Sequence, residues 1–170
     1  MNITIIGMTN AGKSIIGKEL AKRLNCKFID TDGVIEKKLN MKLQQIVDEN
    51  GEDRFLKIEE QTVLKLGRLD NCIISPGGSV IYSIKAMEYL KRNSVVVFLN
   101  ASFESINKRI SSDQPMRGII GLKKKSLKEL FDERLPIYEK YADVTIEMPE
   151  DFNIDAVIKD MIQQIQGVRL

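Results

Sequence analysis

The sequence predicts a three-layer α/β fold, in which a five-stranded parallel sheet lies between two layers of helices. Short apolar runs rich in β-branched residues alternate along the chain with longer stretches of helical period. The 170 residues suit one domain, 1–170, that is large enough to bury its own core. Strands are predicted at 3–6, 27–29, 72–75, 95–99 and 144–147.

Helices are predicted between these strands, where apolar residues recur every three or four positions. The segment 111–125 is polar and basic and contains glycine, so we expect it to be a mobile loop. Ligands of parallel sheets bind at the carboxyl ends of the strands, and we expect the functional residues there. The predicted helices span 12–24, 32–39, 43–48, 52–66, 84–91, 103–110, 127–141 and 154–165.

The composition excludes several classes of function. The chain has 26 Lys and Arg against 24 Asp and Glu, a formal net charge of +2, which is too balanced to indicate a nucleic-acid or membrane-surface protein. It has no histidine and only two cysteines, which excludes zinc fingers and imidazole general bases. No apolar run approaches the length of a membrane span. We therefore expect a cytoplasmic monomer without nucleic-acid or membrane partners.

A phosphate-binding motif follows the first predicted strand. The segment Gly7–Ser14 reads G-M-T-N-A-G-K-S and matches G-x-x-x-x-G-K-[ST], the P-loop motif. Its glycines allow a tight turn whose N–H groups converge on phosphate oxygens, and the next helix directs its positive N-terminus at the same anion. The motif predicts a P-loop NTPase fold and Mg·ATP as the ligand. The expected nucleotide-binding residues are Gly7, Asn10, Ala11, Gly12, Lys13, Ser14 and Ile15.

Within this motif, two side chains have distinct predicted roles. Lys13 is expected to reach the β- and γ-phosphates, and Ser14 is expected to ligate Mg²⁺.

Two carboxylates follow the second predicted strand. Asp30 and Asp32 are two residues apart, and in an extended segment such residues point toward the same side. Beside a Mg·triphosphate, one carboxylate is suited to hold the waters of the metal, and the other to orient an acceptor hydroxyl and take its proton. The structural alternative is that Asp32 is the N-cap of the next helix, with Glu36 in its first turn.

These motifs and several others, in the same order, make the sequence resemble the shikimate kinase family over nearly the whole chain. The family's F-x-D-x-D matches 28–32, its G-E-x-x-F matches 51–55, and its R-x-P-x-Y followed by A-D matches 134–138 and 142–143. Ser75-Pro76-Gly77-Gly78 falls where the family has a glycine triplet. The resemblance implies a fold similar to nucleoside-monophosphate kinases and the phosphorylation of a hydroxyl of shikimate, a step of aromatic amino-acid biosynthesis.

The resemblance also implies roles for the matching residues. Asp32 would hydrogen-bond the substrate hydroxyls, and Asp30 would lie in the outer shell of the metal. Arg109 would lie against the adenine. The mobile loop 111–125 would be the lid of the family, and an arginine of this lid would close over the phosphates, which makes Lys13, Asp32 and Arg117 the expected catalytic residues. The expected substrate-binding residues are Asp32, Gly77, Gly78, Ser79 and Arg134.

Three positions depart from the family pattern. Leu56 stands where the family has a second carboxylate-binding arginine, and Ser79 stands where it has the third glycine. The family's R-P-L-L in the lid is also absent. Arg117 is the favoured counterpart of its arginine, because the transition state needs a cation there, although Gln114 can be aligned instead.

These departures leave three hypotheses. The first is a shikimate-kinase-type phosphotransferase that uses Mg·ATP. The second keeps the chemistry but changes the acceptor to another small polyol or hydroxy acid, because Leu56 and Ser79 alter the acceptor pocket. The third is a nucleotide-binding module without catalysis, suggested by the altered lid.

Overall fold

The computed structural model describes residues 1–113 and 118–168, and its elements alternate along the chain as the periodicity predicts. Apolar residues predominate in β1, β3 and β4 and form one side of most helices. The strands are β1 (Ile3–Ile6), β2 (Lys27–Asp30), β3 (Cys72–Ser75), β4 (Val95–Ala101) and β5 (Val144–Met148). The helices are α1 (Lys13–Arg23), α2 (Thr31–Leu39), α3 (Leu43–Asn50), α4 (Glu52–Leu64), α5 (Ile84–Asn93), α6 (Phe103–Asp113), α7 (Leu127–Tyr141) and α8 (Ile154–Val168), and Val80–Tyr82 forms a 3₁₀ turn.

The five strands form one parallel sheet in the order β2-β3-β1-β4-β5. β1, β3 and most of β4 are buried, as expected for strands covered by helices on both faces. The predicted fold class is therefore confirmed. The chain changes direction of winding at β1, which lies between β3 and β4, and this switch point is where open α/β sheets bind ligands.

Most element boundaries differ from the prediction by a few residues, and two of these differences fall at functional segments. β2 ends at Asp30 and α2 begins at Thr31, so Asp32 lies in a helix and not in an extended segment. α6 continues to Asp113, so the loop predicted from Ser111 is wrong for its first three residues. Polar residues can extend a helix without adding to its apolar face, which is why the periodicity ends before the helix does.

A second, smaller hydrophobic cluster joins α2, α3 and α4 beside the main core. Leu56 packs against this cluster, whose buried members are Ile35, Ile46, Val47, Phe55 and Ile120. Ile120 lies within the segment predicted as a lid, 111–125, so the part of that segment after position 117 is anchored to these helices. In the described part of the chain, no helix combines the length and the apolar character needed to cross a bilayer.

Candidate active site

The phosphate loop connects β1 to α1 in a conformation that requires special residues. Gly7, Asn10 and Gly12 all have positive φ, at 149°, 62° and 101°. A Cβ at Gly7 would lie 2.9 Å from the carbonyl oxygen of Leu99 in β4, so glycine is required there by contact as well as by conformation. Ser14 and Ile15 are exposed in the first turn of α1. The loop thus surrounds the N-terminus of α1, where an anion is favoured.

Lys13 folds back across this loop. Its Nζ donates hydrogen bonds of 2.9 Å to the carbonyl oxygens of Gly7 and Met8. Burial lowers the pKa of Lys13 to about 8, and the nearby carboxylates, Asp32 foremost, oppose this shift. The ammonium group is therefore held inside the loop, close to the acidic side chains that follow β2.

The two aspartates after β2 have different environments. Asp30 is the N-cap of α2, and its Oδ1 accepts hydrogen bonds from the N–H groups of Asp32 (3.1 Å) and Gly33 (3.3 Å). The cap is thus Asp30, so the alternative that assigned this role to Asp32 is wrong. Asp32 Oδ1 is buried and has no hydrogen-bond partner among the described residues. Burial raises the pKa of Asp32 to about 6, while the charge of Lys13 lowers it.

Asp32 opens onto a cavity of about 60 Å³ beside the phosphate loop. Three other polar side chains of its wall, Glu59, Ser79 and Arg134, are buried. The cavity brings together Asp32, Gly77, Gly78, Ser79 and Arg134, all the residues that the resemblance assigns to the substrate. The remaining lining residues are Thr9, Leu43, Phe55, Glu59, Gly118, Ile119 and Ile120. Leu56 is not part of this wall.

Arg134 is the cation of this cavity. Only 1% of the residue is exposed, yet none of the described residues forms an ion pair with it. Its guanidinium donates to the hydroxyl of Tyr82 (3.2 Å) and to the carbonyl oxygen of Ile120 (2.7 Å). Neutral acceptors hold the group in place but leave its charge uncompensated, which is costly in a buried site. An anionic ligand would compensate it.

Gly77 and Gly78 keep the cavity open. A Cβ on Gly77 would lie 2.8 Å from Asp32 Oδ1 and closer still to Glu59 Oε1. A Cβ on Gly78 would lie 3.3 Å from a guanidinium nitrogen of Arg134 and 3.4 Å from Thr9. A side chain at position 77 would therefore displace the two carboxyl groups, and one at position 78 would press against Arg134 and Thr9. Ser79 has an ordinary φ of −89°, so its backbone does not require glycine.

Glu59 is a functional candidate that the sequence patterns did not reveal. It is 3% exposed, and its Oε2 accepts a hydrogen bond from the hydroxyl of Ser79. Burial raises the pKa of Glu59 to about 8, and the Ser79 hydroxyl opposes this shift. Its position four residues after Phe55 and four before Val63 places a carboxylate on the buried side of α4. A charged residue within an apolar stripe is the signal that would have identified it.

Arg109 lies at the outer edge of the phosphate loop. Its guanidinium donates to the carbonyl oxygens of Asn10 (3.0 Å) and Glu150 (3.3 Å) and lies 5.2 Å from the ring centre of Phe152. Phe152 also faces Gly12, since a Cβ there would lie 3.4 Å from the ring. An open groove of about 680 Å³ starts at this point, lined by Ile15, Lys18, Glu19, Phe152, Asn153, Ile154 and Asp155. No sequence motif pointed to Phe152.

The predicted lid is only partly described. Gln114 and Arg117, the two candidates for its cation, lie outside the described residues. Beyond them, the N–H of Gly118 donates to Gln44 (2.8 Å) and the N–H of Gly121 donates to Glu52 (2.8 Å). The segment that follows the predicted lid cation is thus tied to α3 and α4 and forms one wall of the cavity.

The residues expected to hold Mg²⁺ suit that ion. Both hydrogen bonds to Asp30 use Oδ1, and Oδ2 has no donor within the described ranges. Residues 1–113 and 118–168 contain no cluster of three or more Asp, Glu, Cys or His side chains that would form a metal cage. Mg²⁺ in kinases is typically held by one or two protein groups together with phosphates and waters, so Ser14 and Asp30 fit the ion.

Comparisons with known proteins agree with this geometry. The family model described as "Shikimate kinase" matches residues 9–166. The chain is 35% identical over 164 residues to the shikimate kinase of Caldanaerobacter subterraneus subsp. tengcongensis, covering 95% of this chain and 94% of that protein. It is 36% identical over 167 residues to the shikimate kinase of Francisella tularensis subsp. novicida, covering 96% and 92%.

A solved structure gives the same result. Shikimate kinase from Acinetobacter baumannii in complex with shikimate superposes with a TM-score of 0.88 at 28% identity, covering 99% of this chain and 94% of that one.

Proposed function

The chain belongs to the shikimate kinase family of ATP-dependent small-molecule kinases, and we propose that it transfers the γ-phosphoryl group of ATP to a hydroxyl of shikimate. Family membership rests on a match over residues 9–166 and on relatives that are 35–36% identical over most of the chain. The choice of acceptor rests on the cavity beside the phosphate loop.

The observation that carries this proposal is the pairing of two uncompensated groups in one cavity. Arg134 is a buried cation without an ion pair in the described part of the chain, and Asp32 Oδ1 is a buried acceptor without a donor there. The first calls for an anion, and the second for a hydroxyl or amine hydrogen. A hydroxy acid such as shikimate supplies both a carboxylate and hydroxyl groups. A neutral polyol would leave the charge of Arg134 uncompensated.

The phosphate loop is suited to place ATP against this cavity. Its N–H groups and Lys13 surround the phosphate position, and Arg109 with Phe152 borders the groove in which we place the adenine. When ATP is bound, Mg²⁺ supplies positive charge next to the transferring group, with Ser14 and Asp30 as the residues that would hold it.

In the transfer step, the acceptor hydroxyl oxygen forms a bond to the γ-phosphorus while the bond from that phosphorus to the β–γ bridging oxygen breaks. Asp32 accepts the hydroxyl hydrogen and orients the oxygen for attack. Lys13 stabilises the charge on the transferring group, and Arg117 adds a second cation from the lid. The products are ADP, a phosphate ester and a proton. Catalysis is then chiefly positioning and electrostatic stabilisation.

A coupled assay of ADP release with shikimate as acceptor tests the proposal directly. We expect saturable turnover in the wild type and its loss in Lys13→Ala, with Arg68→Ala as an exposed control that keeps full activity. A panel of other hydroxy acids and polyols belongs in the same assay, because Ser79 alters the cavity wall relative to the family pattern. If any of these compounds gives a higher kcat/KM than shikimate, that compound would replace shikimate as the proposed acceptor.

A further inference from the structure

We propose that Glu59 and Ser79 form a positioning pair that sets the charge of the acceptor cavity: Glu59 holds a proton while an anionic acceptor is bound, and its ionisation weakens binding. This inference deepens the proposed function, on which its acceptor chemistry rests. It assigns a specificity role to two residues of the cavity wall, one in α4 and one in the loop after β3.

The geometry places Glu59 where its charge affects the acceptor. Its side chain forms part of the cavity wall, with Oε2 hydrogen-bonded to Ser79 and Oε1 directed at Gly77. Asp32 Oδ1 approaches Gly77 as well, so two carboxyl groups converge on the same glycine. Any acceptor that reaches Asp32 therefore lies next to Glu59.

The charges of the wall make the protonation state of Glu59 decisive. The described lining residues include two carboxyl groups, Asp32 and Glu59, against one guanidinium, Arg134. Leu56 packs in the second hydrophobic cluster and supplies no second cation. With both carboxylates ionised, they balance the charges of Arg134 and of Lys13, whose charge acts on both carboxyl groups, and no net positive charge remains for an anionic acceptor. With Glu59 neutral, Asp32 balances Lys13, the charge that acts on it most strongly. The charge of Arg134 is then left to bind the anion.

The groups that face Glu59 come from several elements and shift its pKa in opposite directions. Burial in α4 raises the pKa of Glu59 to about 8 and is the largest cause, and the charge of Asp32 from α2 raises it further. The hydroxyl of Ser79 lowers it by donating to the carboxylate, and so do the charges of Arg134 from α7 and Lys13 from α1. The hydroxyl of Ser79 thus moderates the shift and fixes the carboxyl orientation.

Calorimetric titration of shikimate into the wild type and Glu59→Gln, from about pH 6 to 9.5, tests the acceptor effect. We expect the wild-type affinity to fall by up to about tenfold per pH unit above the pKa of Glu59, because only the protonated form binds well. Glu59→Gln keeps the neutral shape and should lack this fall, apart from the change that Lys13, with a pKa of about 8, contributes equally to both proteins. A fall of equal size in Glu59→Gln would overturn the proposal.

Glu60→Gln is the matched control. Glu60 is the next residue of α4 and also accepts a hydrogen bond from a serine, Ser83, at 2.6 Å, but it lies outside the cavity wall. Its pH profile should match that of the wild type. A profile that matches Glu59→Gln instead would show that the effect is not specific to the cavity and would count against the pair.

Ser79→Ala provides a second test, in which the loss of the hydrogen bond determines the direction in which the pH profile should move. Without the hydroxyl, the ionised form of Glu59 loses a donor, so the alkaline fall in affinity should move to higher pH. Movement to lower pH, or no movement, would contradict the role of Ser79. The variant also keeps the proposal testable if Glu59→Gln does not fold.

A titration of the side-chain carboxyl carbons by NMR, with ¹³C-labelled glutamate, is independent of any acceptor. The resonance that disappears in Glu59→Gln should titrate near pH 8 in the ligand-free wild type. Titration near the ordinary glutamate value would overturn the inference, even if shikimate is phosphorylated. If shikimate neither binds nor reacts, the proposed acceptor is wrong, but this titration still shows whether Glu59 is protonated near neutral pH.

Discussion

The phosphate loop and the acceptor cavity are built in different ways. The loop is one continuous segment, Gly7–Ser14, and the groups that we expect to bind phosphate are chiefly backbone N–H groups held in place by glycine conformations and the start of α1. The cavity is assembled from α2, α3, α4, α7, the segments 77–79 and 118–120, and one residue of the loop itself, Thr9. A local motif therefore identifies the first, whereas tertiary packing determines the charge, size and polarity of the second.

This difference predicts that variants of the loop and variants of the cavity change different kinetic and binding constants. Lys13→Ala, in the loop, should have the largest effect on activity. It removes the cation of the loop, so kcat with shikimate should fall by about 10²–10³-fold or more, since the interaction strengthens in the transition state. Steady-state ADP release measures this. Retention of more than about a tenth of the wild-type kcat would contradict the role of Lys13.

Arg134→Ala should act on the acceptor alone. Truncating one partner of a buried charge pair costs about 2–5 kcal/mol, which corresponds to about 30- to 4,000-fold weaker shikimate binding. Calorimetry with shikimate and, separately, with Mg·ADP measures both halves of the site. The affinity for Mg·ADP should stay within about twofold of the wild type, because the hydrogen bonds of Arg134 within the described residues go to Tyr82 and Ile120. Only a minor part of the pKa shift of Lys13 comes from the charge of Arg134. Equal losses for both ligands would show that the two regions are not separable.

Gly77→Ala tests whether glycine is needed at position 77 because of the close approach of neighbouring side chains and not because of its backbone conformation. The added Cβ would lie 2.8 Å from Asp32 Oδ1, so both carboxyl groups must move. We expect a loss of about 1–3 kcal/mol in the free energy of unfolding, together with reduced shikimate affinity.

Gly167→Ala in α8 is the matched glycine control. A Cβ there meets nothing within 4 Å, and the substitution should raise the free energy of unfolding by up to about 1 kcal/mol. Urea unfolding measures both variants. A neutral result for Gly77→Ala would show that the cavity wall is not closely packed there.

The smallest expected effect is a change in the pH dependence of stability. The pKa of Glu59 is about 8 in the folded state against an ordinary 4.5, so the folded protein retains a proton that the unfolded chain releases. Stability from this group is complete below about pH 4.5 and is lost as pH rises toward 8, by at most about 1.4 kcal/mol per pH unit.

Urea unfolding of the wild type and Glu59→Gln at pH 6 and pH 7 measures this term. Asp32 titrates in the same range in both proteins, so the difference between them isolates Glu59. The wild type should lose up to about 1.4 kcal/mol more than the variant between these two pH values. Parallel losses would exclude a raised pKa at this residue.

The loop and the cavity also show what the sequence could predict. The five strands and the P-loop were predictable, because buried parallel strands and glycine-rich turns have local signatures. The convergence of Asp32, Gly77, Gly78 and Arg134 was predictable only from the family resemblance. The local argument, which assumed that Asp30 and Asp32 lie in one extended segment, was wrong, since Asp32 lies in a helix and Asp30 is the N-cap of that helix.

Other features depended on packing that a single sequence does not display. Glu59 lies on the buried side of α4 among apolar residues, and its carboxyl partner, Ser79, is twenty residues away. Phe152 reaches Gly12 from the loop before α8. Leu56, interpreted as a change in the acceptor pocket, packs in the second hydrophobic cluster and does not line the cavity. Periodicity indicates which residues are buried but not which cavity they surround.

The most direct test of the account compares two acceptors in the same coupled assay: shikimate, and an analogue in which a neutral hydroxymethyl group replaces the carboxylate. If the buried charge of Arg134 selects the acceptor, kcat/KM should be about 30-fold or more higher for shikimate. Equal kcat/KM for the two compounds would contradict the assignment of the cavity to an anionic acceptor.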